Sequence, residues 1–168
     1  MKRRIIALAL CLLLAMGAAL AETAAGTKVF RLGTSVYTVE IPESYVEGEI
    51  TEEDMADDMV AYMESPDSLL DFDVYQFDKE GYADKLADFA RDEAEEFTAT
   101  EVVTDGKING IDVAWYRAVE TYDGAEYTTL TYVLEDGNQY VEIAFWLDGE
   151  NAEREAQAII DTLTFVTR

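Results

Sequence analysis

Three tight-turn signals in the second half of the chain constrain its fold more than any other feature. Asn109-Gly110, Asp123-Gly124 and Asp136-Gly137-Asn138 each sit between runs rich in Val, Ile, Thr, Tyr and Trp. Asn-Gly and Asp-Gly supply the positive φ angles that short connections between twisted strands require. The stretch from Thr100 to Leu147 therefore reads as a four-stranded antiparallel meander. Its strands are apolar on both sides. Val141, Ile143, Phe145 and Leu147 alternate with Tyr140, Glu142, Ala144 and Trp146, and Val113 and Trp115 alternate with Ala114 and Tyr116. A sheet with one wet face would alternate more cleanly, so both faces are expected to be at least partly covered.

The covering elements are readable to either side. Phe30, Leu32, Tyr37, Val39 and Ile41 suggest two short strands with a turn at Gly33-Thr34, ending at Pro42. Thr51 stands at capping-box spacing from Asp54, consistent with a helical turn over the acidic 51–58 segment. Met59 to Met63 and Phe72 to Phe77 are strand-like, joined around Ser65-Pro66-Asp67-Ser68. Tyr82, Leu86, Phe89, Ala90, Ala94 and Phe97 recur at helical spacing and predict an amphipathic helix over 82–97. Asn151 as N-cap, with Ala156, Ile159, Ile160 and Leu163 on one face, predicts a last helix over 152–163. The expectation is an α+β chain: an α/β/α sandwich around a central antiparallel sheet of about six strands.

The N-terminus has a different character. Lys2, Arg3 and Arg4 precede an uncharged run from Ile5 to Leu20, and Ala19-Leu20-Ala21 leads into Glu22. That order matches a secretory signal peptide over residues 1–21 cleaved after Ala21. The apolar run is shorter than the roughly 20 residues a bilayer core demands of an anchor, so no membrane insertion is expected after cleavage. Residues 22–27 read as a flexible leader and 28–168 as one domain. Cleavage would remove Cys11, the only cysteine, and three of the 12 basic residues, but none of the 36 acidic ones. The formal net charge of −24 thus becomes more negative still, which repels nucleic acid and anionic lipid. A secreted or extracytoplasmic, thiol-free, acidic domain is expected.

The order of elements carries a resemblance. Short strands end in Thr38-Val39-Glu40-Ile41-Pro42; a strand pair and a helix follow; the meander contains Ile108-Asn109-Gly110-Ile111; and the chain closes on Ala158-Ile159-Ile160-Asp161-Thr162-Leu163-Thr164-Phe165. This resembles the PsbP-like (PsbP/Mog-type) sandwich family, which includes extrinsic photosystem subunits, a nuclear transport cofactor and many short exported bacterial proteins. The resemblance implies an accessory or adaptor protein that binds another protein, and it transfers no functional residue to this chain.

The side-chain inventory excludes much chemistry. There is no histidine, so Ser-His-Asp and Cys-His arrangements and His-ligated metals are absent. No phosphate-binding glycine loop occurs, and Lys28, Lys79, Lys85 and Lys107 lie in no nucleophile motif. Asp57-Asp58 and Asp71-x-Asp73 are candidate acid pairs, although solvated faces are the commoner use of such pairs. The segment from Asp67 to Asp73 lacks the glycine and terminal glutamate of a calcium loop. No catalytic residue, metal site or cofactor is expected.

Aromatic residues crowd the meander: Trp115, Tyr116, Tyr122, Tyr127, Tyr132, Tyr140, Phe145 and Trp146. Core packing and cross-strand pairing account for most such residues. Tyr116, Tyr140 and Trp146 are the candidate binding surface, on whichever face the helices leave open. The reading is a non-enzymatic exported domain with a protein partner. A carboxylate-dependent glycan hydrolase and a passive structural module of the envelope stay open as alternatives.

Overall fold

The computed structural model describes residues 26–66, 69–122, 124–148 and 151–166. The expected signal peptide and its Ala21 cleavage site, most of the leader, Asp67-Ser68 and Asp123 lie outside the described residues. Among the described residues, ten strands and three helices follow one another. They are β1 (Thr27–Arg31), β2 (Tyr37–Pro42), β3 (Val46–Glu47), α1 (Glu52–Ala56), β4 (Met59–Glu64), β5 (Leu70–Asp78) and α2 (Leu86–Glu96). Then come β6 (Glu101–Ile108), β7 (Ile111–Tyr122), β8 (Ala125–Asp136), β9 (Gln139–Leu147), α3 (Ala152–Ile160) and β10 (Thr164–Phe165). No described helix is long and apolar enough to cross a membrane.

The four-stranded meander forms as expected, and every described strand pairing is antiparallel. Ile108 pairs with Ile111 across Asn109 (φ +51°) and Gly110 (φ +83°), the two positive angles of a two-residue hairpin. The Asn109 side chain has a second task. Its Nδ2 donates to the carbonyls of Asp161 (2.8 Å) and Leu163 (3.0 Å), tying the hairpin to the C-terminal turn. Edge strand β6 shifts register between Val103 and Gly106. A Cβ at Gly106 would come within 2.9 Å of the Val113 carbonyl, so only glycine lets the strands approach there.

The layers differ from expectation in detail. The principal sheet has seven strands, in the order β3-β4-β5-β9-β8-β7-β6, while β1, β2 and β10 form a second sheet. The seventh strand, β3, is only two residues long and too short to show a period. The N-terminal pair stands apart because Tyr37, Thr38 and Val39 are buried in succession, as befits the centre of a small packed sheet. This sheet and α3 together cover one face of the large sheet. Leu32, Val39 and Ile41 pack there with Phe72, Ile143, Phe145, Ile159, Ile160 and Leu163. The Tyr37 hydroxyl donates to the Glu135 carbonyl (2.6 Å), locking the two sheets together.

Helix α2 lies on the other face. Phe89, Ala90 and Ala94 pack on Ala114, Tyr116, Val133 and Tyr140. It begins at Leu86 rather than near residue 82, because Gly81 (φ +101°) turns the chain and Tyr82 N donates to Lys79 O (3.0 Å). Tyr82 still packs on Phe89 from the loop, with ring centroids 5.4 Å apart. The helix closes with Ala99 N bonded to Ala94 O (2.7 Å) and Thr98 N to Glu95 O (3.2 Å), which places Thr98 at φ +52°. Helix α3 stops at Ile160 rather than 163. Asn151 does not cap it through its side chain but accepts from Arg154 (3.0 Å), and Leu163 is buried from the following turn. The Thr51–Asp54 capping box is present as expected.

Two outcomes follow for urea denaturation. Phe89→Ala removes the ring stacked 4.1 Å above Tyr140 and should lower the unfolding free energy by about 3–5 kcal/mol. Thr98→Gly relieves a β-branched residue held in the left-handed region and should raise it by about 1 kcal/mol.

Candidate functional site

Alternation along β5, β9, β8 and β7 decides which side chains share the face that bears α2. From β5 these are Asp71, Asp73, Tyr75 and Phe77, and from β9 Tyr140, Glu142, Ala144 and Trp146. From β8 they are Tyr127, Thr129, Thr131 and Val133, and from β7 Ala114, Tyr116, Ala118 and Glu120. Helix α2 packs over β6, β7 and β8 and reaches Tyr140. Over the rest, among the described residues, the roof is made of side chains. The floor residues Ala118, Thr129, Thr131 and Ala144 are all buried, and Tyr75, Glu120, Tyr127 and Trp146 are half-buried above them.

Two carboxylates are buried in this region. Asp73, 5% exposed, accepts from the Trp146 indole Nε1 (2.6 Å) and the Tyr75 hydroxyl (3.3 Å). Burial outweighs these bonds and pushes its carboxyl up to about 6. Glu142, 4% exposed, has an Oε1 with no hydrogen-bond partner. Burial, then the charges of Glu93 and Glu120, raise it well above the ordinary carboxylate range. Asp73 pairs with Ala144 and Glu142 with Tyr75, so the two acids are diagonal neighbours, about 7–8 Å apart at the backbone.

Other groups belong to the same cluster. Glu120 accepts from the Thr129 hydroxyl (2.8 Å). Glu93, on α2, is pushed up to about 7 by burial and by Glu96 and Asp92. The Tyr75 hydroxyl is raised by burial and then by Asp73, and that of Tyr116 by burial and then by Glu142. No three acidic groups among the described residues are arranged to hold a metal ion.

The expected surface residues separate. Tyr140 is fully buried between Phe89 and Lys79, and its hydroxyl donates to the Ala83 carbonyl (2.6 Å). Tyr116, 2% exposed, stacks on Phe97. Both rings are core beneath α2, which takes them out of the candidate surface. Trp146 alone of the three lies on the uncovered region, with Tyr127 edge-on to it at 5.9 Å. Trp115, Tyr132 and Phe145 belong to the opposite face, where Trp115, Arg117, Tyr132, Glu153 and Gln157 line a cavity of about 250 Å³. Of the acid pairs, Asp57 and Asp58 are exposed beyond α1, while Asp71 accepts from Ser65 N (2.8 Å) and shapes the turn before β5. Glu142 was visible in the sequence only as one charge inside a strand otherwise apolar on both sides.

No family model and no curated protein matches the sequence. Solved structures do. Cyanobacterial PsbP (CyanoP) from Synechocystis sp. PCC 6803 superposes with a TM-score of 0.65 at 8% identity, over 86% of this chain and 95% of that one. The fold is PsbP-like. LpqN of Mycobacterium tuberculosis, described as involved in cell envelope biogenesis, aligns with a TM-score of 0.52 at 9% identity, over 84% of this chain and 91% of LpqN. A protein from Bacteroides thetaiotaomicron VPI-5482 aligns with a TM-score of 0.58 at 23% identity over 83% of this chain, which spans about half (48%) of that protein.

The buried acids of this PsbP-like sheet make stability depend on pH. A carboxyl raised in the folded state favours folding fully below its unfolded pKa, and that contribution is lost as pH rises through the folded value. For Asp73 the loss runs between about pH 4 and 6 and amounts to about 3 kcal/mol. Asp73→Asn and Glu142→Gln should therefore melt above the parent protein at pH 7.5, with the Asp73→Asn advantage shrinking below pH 5; thermal scans across pH test both.

Proposed function

We propose that this chain is an exported, non-enzymatic accessory module that binds a protein partner through the uncovered part of its sheet, with Trp146 at the centre. The observation that carries the reading is the buried Glu142 carboxyl beside Asp73, whose Oε1 has no hydrogen-bond partner. A fold that only had to fill this space would do better with the alanines and threonines that surround it. PsbP-like neighbours support the accessory role, and LpqN, described as involved in cell envelope biogenesis, supports an extracytoplasmic setting. The Lys2–Ala21 segment has the order of a secretory signal.

Two experiments test this reading. The exported product should begin at Glu22 by N-terminal sequencing, and an unprocessed cell-retained chain would refute export. Immobilised chain from Glu22 onward should recover a specific protein from envelope or culture fractions, and Trp146→Ala should lose it. Capture that is indifferent to Trp146 would remove the surface from the proposal.

A second reading has one observation in its favour. Asp73 and Glu142 are two buried acids with raised pKa values on neighbouring strands, the kind of pair that carboxylate glycosidases use. The cavity beside Trp115 does not include them, nor does the one lined by Thr34, Asp136 and Gln139. Release of reducing sugar from a glycan panel, abolished in Glu142→Gln, would establish hydrolysis. A flat response excludes it for those glycans.

A further inference from the structure

The charges around the two buried acids share one sign. On Asp73 act Asp54 from α1 and Asp71 from β5; on Glu142 act Glu93 from α2 and Glu120 from β7. No lysine or arginine is among them. Buried carboxylates ordinarily find a cation or a full set of donors. Here Trp146 and Tyr75 serve Asp73, and the buried Oε1 of Glu142 has nothing. Glu142 stands directly opposite Tyr75 across β9 and β5, which puts its side chain beside the uncovered region as well as beside the helix.

The walls above these acids are aromatic. Tyr75, Tyr127 and Trp146 are half-buried, and Tyr127 and Trp146 pack edge-on with ring centroids 5.9 Å apart. A carboxylate floor under aromatic walls recognises an organic cation: N–H groups donate to the carboxylates while the ring quadrupoles attract the charge. A bare metal ion fits less well, because no three acids among the described residues stand in a metal-holding arrangement.

We propose that the uncovered region takes the ammonium or guanidinium head of a lysine or arginine side chain presented by the protein partner, held by Glu142 and Asp73 between Trp146 and Tyr75. The inference rests on the binding-module reading. The net charge of −24 would draw a basic segment towards the surface. Binding should release protons and strengthen as pH rises through about 6, where Asp73 ionises.

The test titrates the exported chain with a short acetylated Gly-Lys-Gly amide at millimolar concentration, its norleucine counterpart, spermidine and calcium chloride, at matched ionic strength. The readouts are the Trp146 indole N–H resonance and proton release. The lysine peptide should shift the resonance and release protons, and the norleucine peptide should do neither. Glu142→Gln, which should fold at least as stably, should weaken binding roughly tenfold or more. No response to the lysine peptide, equal affinity in Glu142→Gln, or a response matched by calcium overturns the inference, and so does binding of spermidine alone. Partner capture that depends on Trp146 while the lysine peptide fails would leave the binding module standing and remove only its cationic ligand.

Discussion

Everything in this fold depends on β9 being buried on both sides. It is the middle strand of the seven-stranded sheet, flanked by β5 and β8, and Tyr140 to Phe145 are all buried. Val141, Ile143 and Phe145 seed the core under α3 and the small sheet, while Tyr140 anchors the core under α2. A strand with two apolar faces cannot be satisfied by one covering layer, so the chain must supply a second from elements distant in sequence.

The two covers are unequal, and that inequality creates the site. Among the described residues, one face receives a three-stranded sheet and a helix; the other receives α2, with the short α1 beside β4. A helix of 11 residues is about 16 Å long, against roughly 29 Å across seven strands. The uncovered remainder is closed by Tyr75, Glu120, Tyr127 and Trp146 folding over alanines and threonines. Asp73 and Glu142 are buried there at a cost that apolar residues would not incur.

The sequence was most legible where the physics is local. The Asn109-Gly110 hairpin, the Thr51–Asp54 box and the amphipathic pattern around Phe89 each depend on residues within a few positions, and each forms where it was read. Helix limits were less legible, since the turn at Gly81 precedes α2 and Thr98 closes it, both through backbone angles that periodicity does not register. Trp146 was legible as an aromatic on the meander. That Tyr116 and Tyr140 are core whereas Trp146 is not depends on where α2 lands.

The sequence by itself determined an acidic chain without histidine, a four-stranded meander apolar on both faces, and helices to cover it, because composition, turn chemistry and period are properties of neighbouring residues. Only the tertiary structure decided that the N-terminal strands form a sheet of their own with β10, that α2 spares part of a face, and that Glu142 is buried beside Asp73 with its Oε1 unpartnered. Those outcomes depend on contacts between residues far apart in the chain, and burial, which sets the charge of a carboxylate, exists only once such contacts are made.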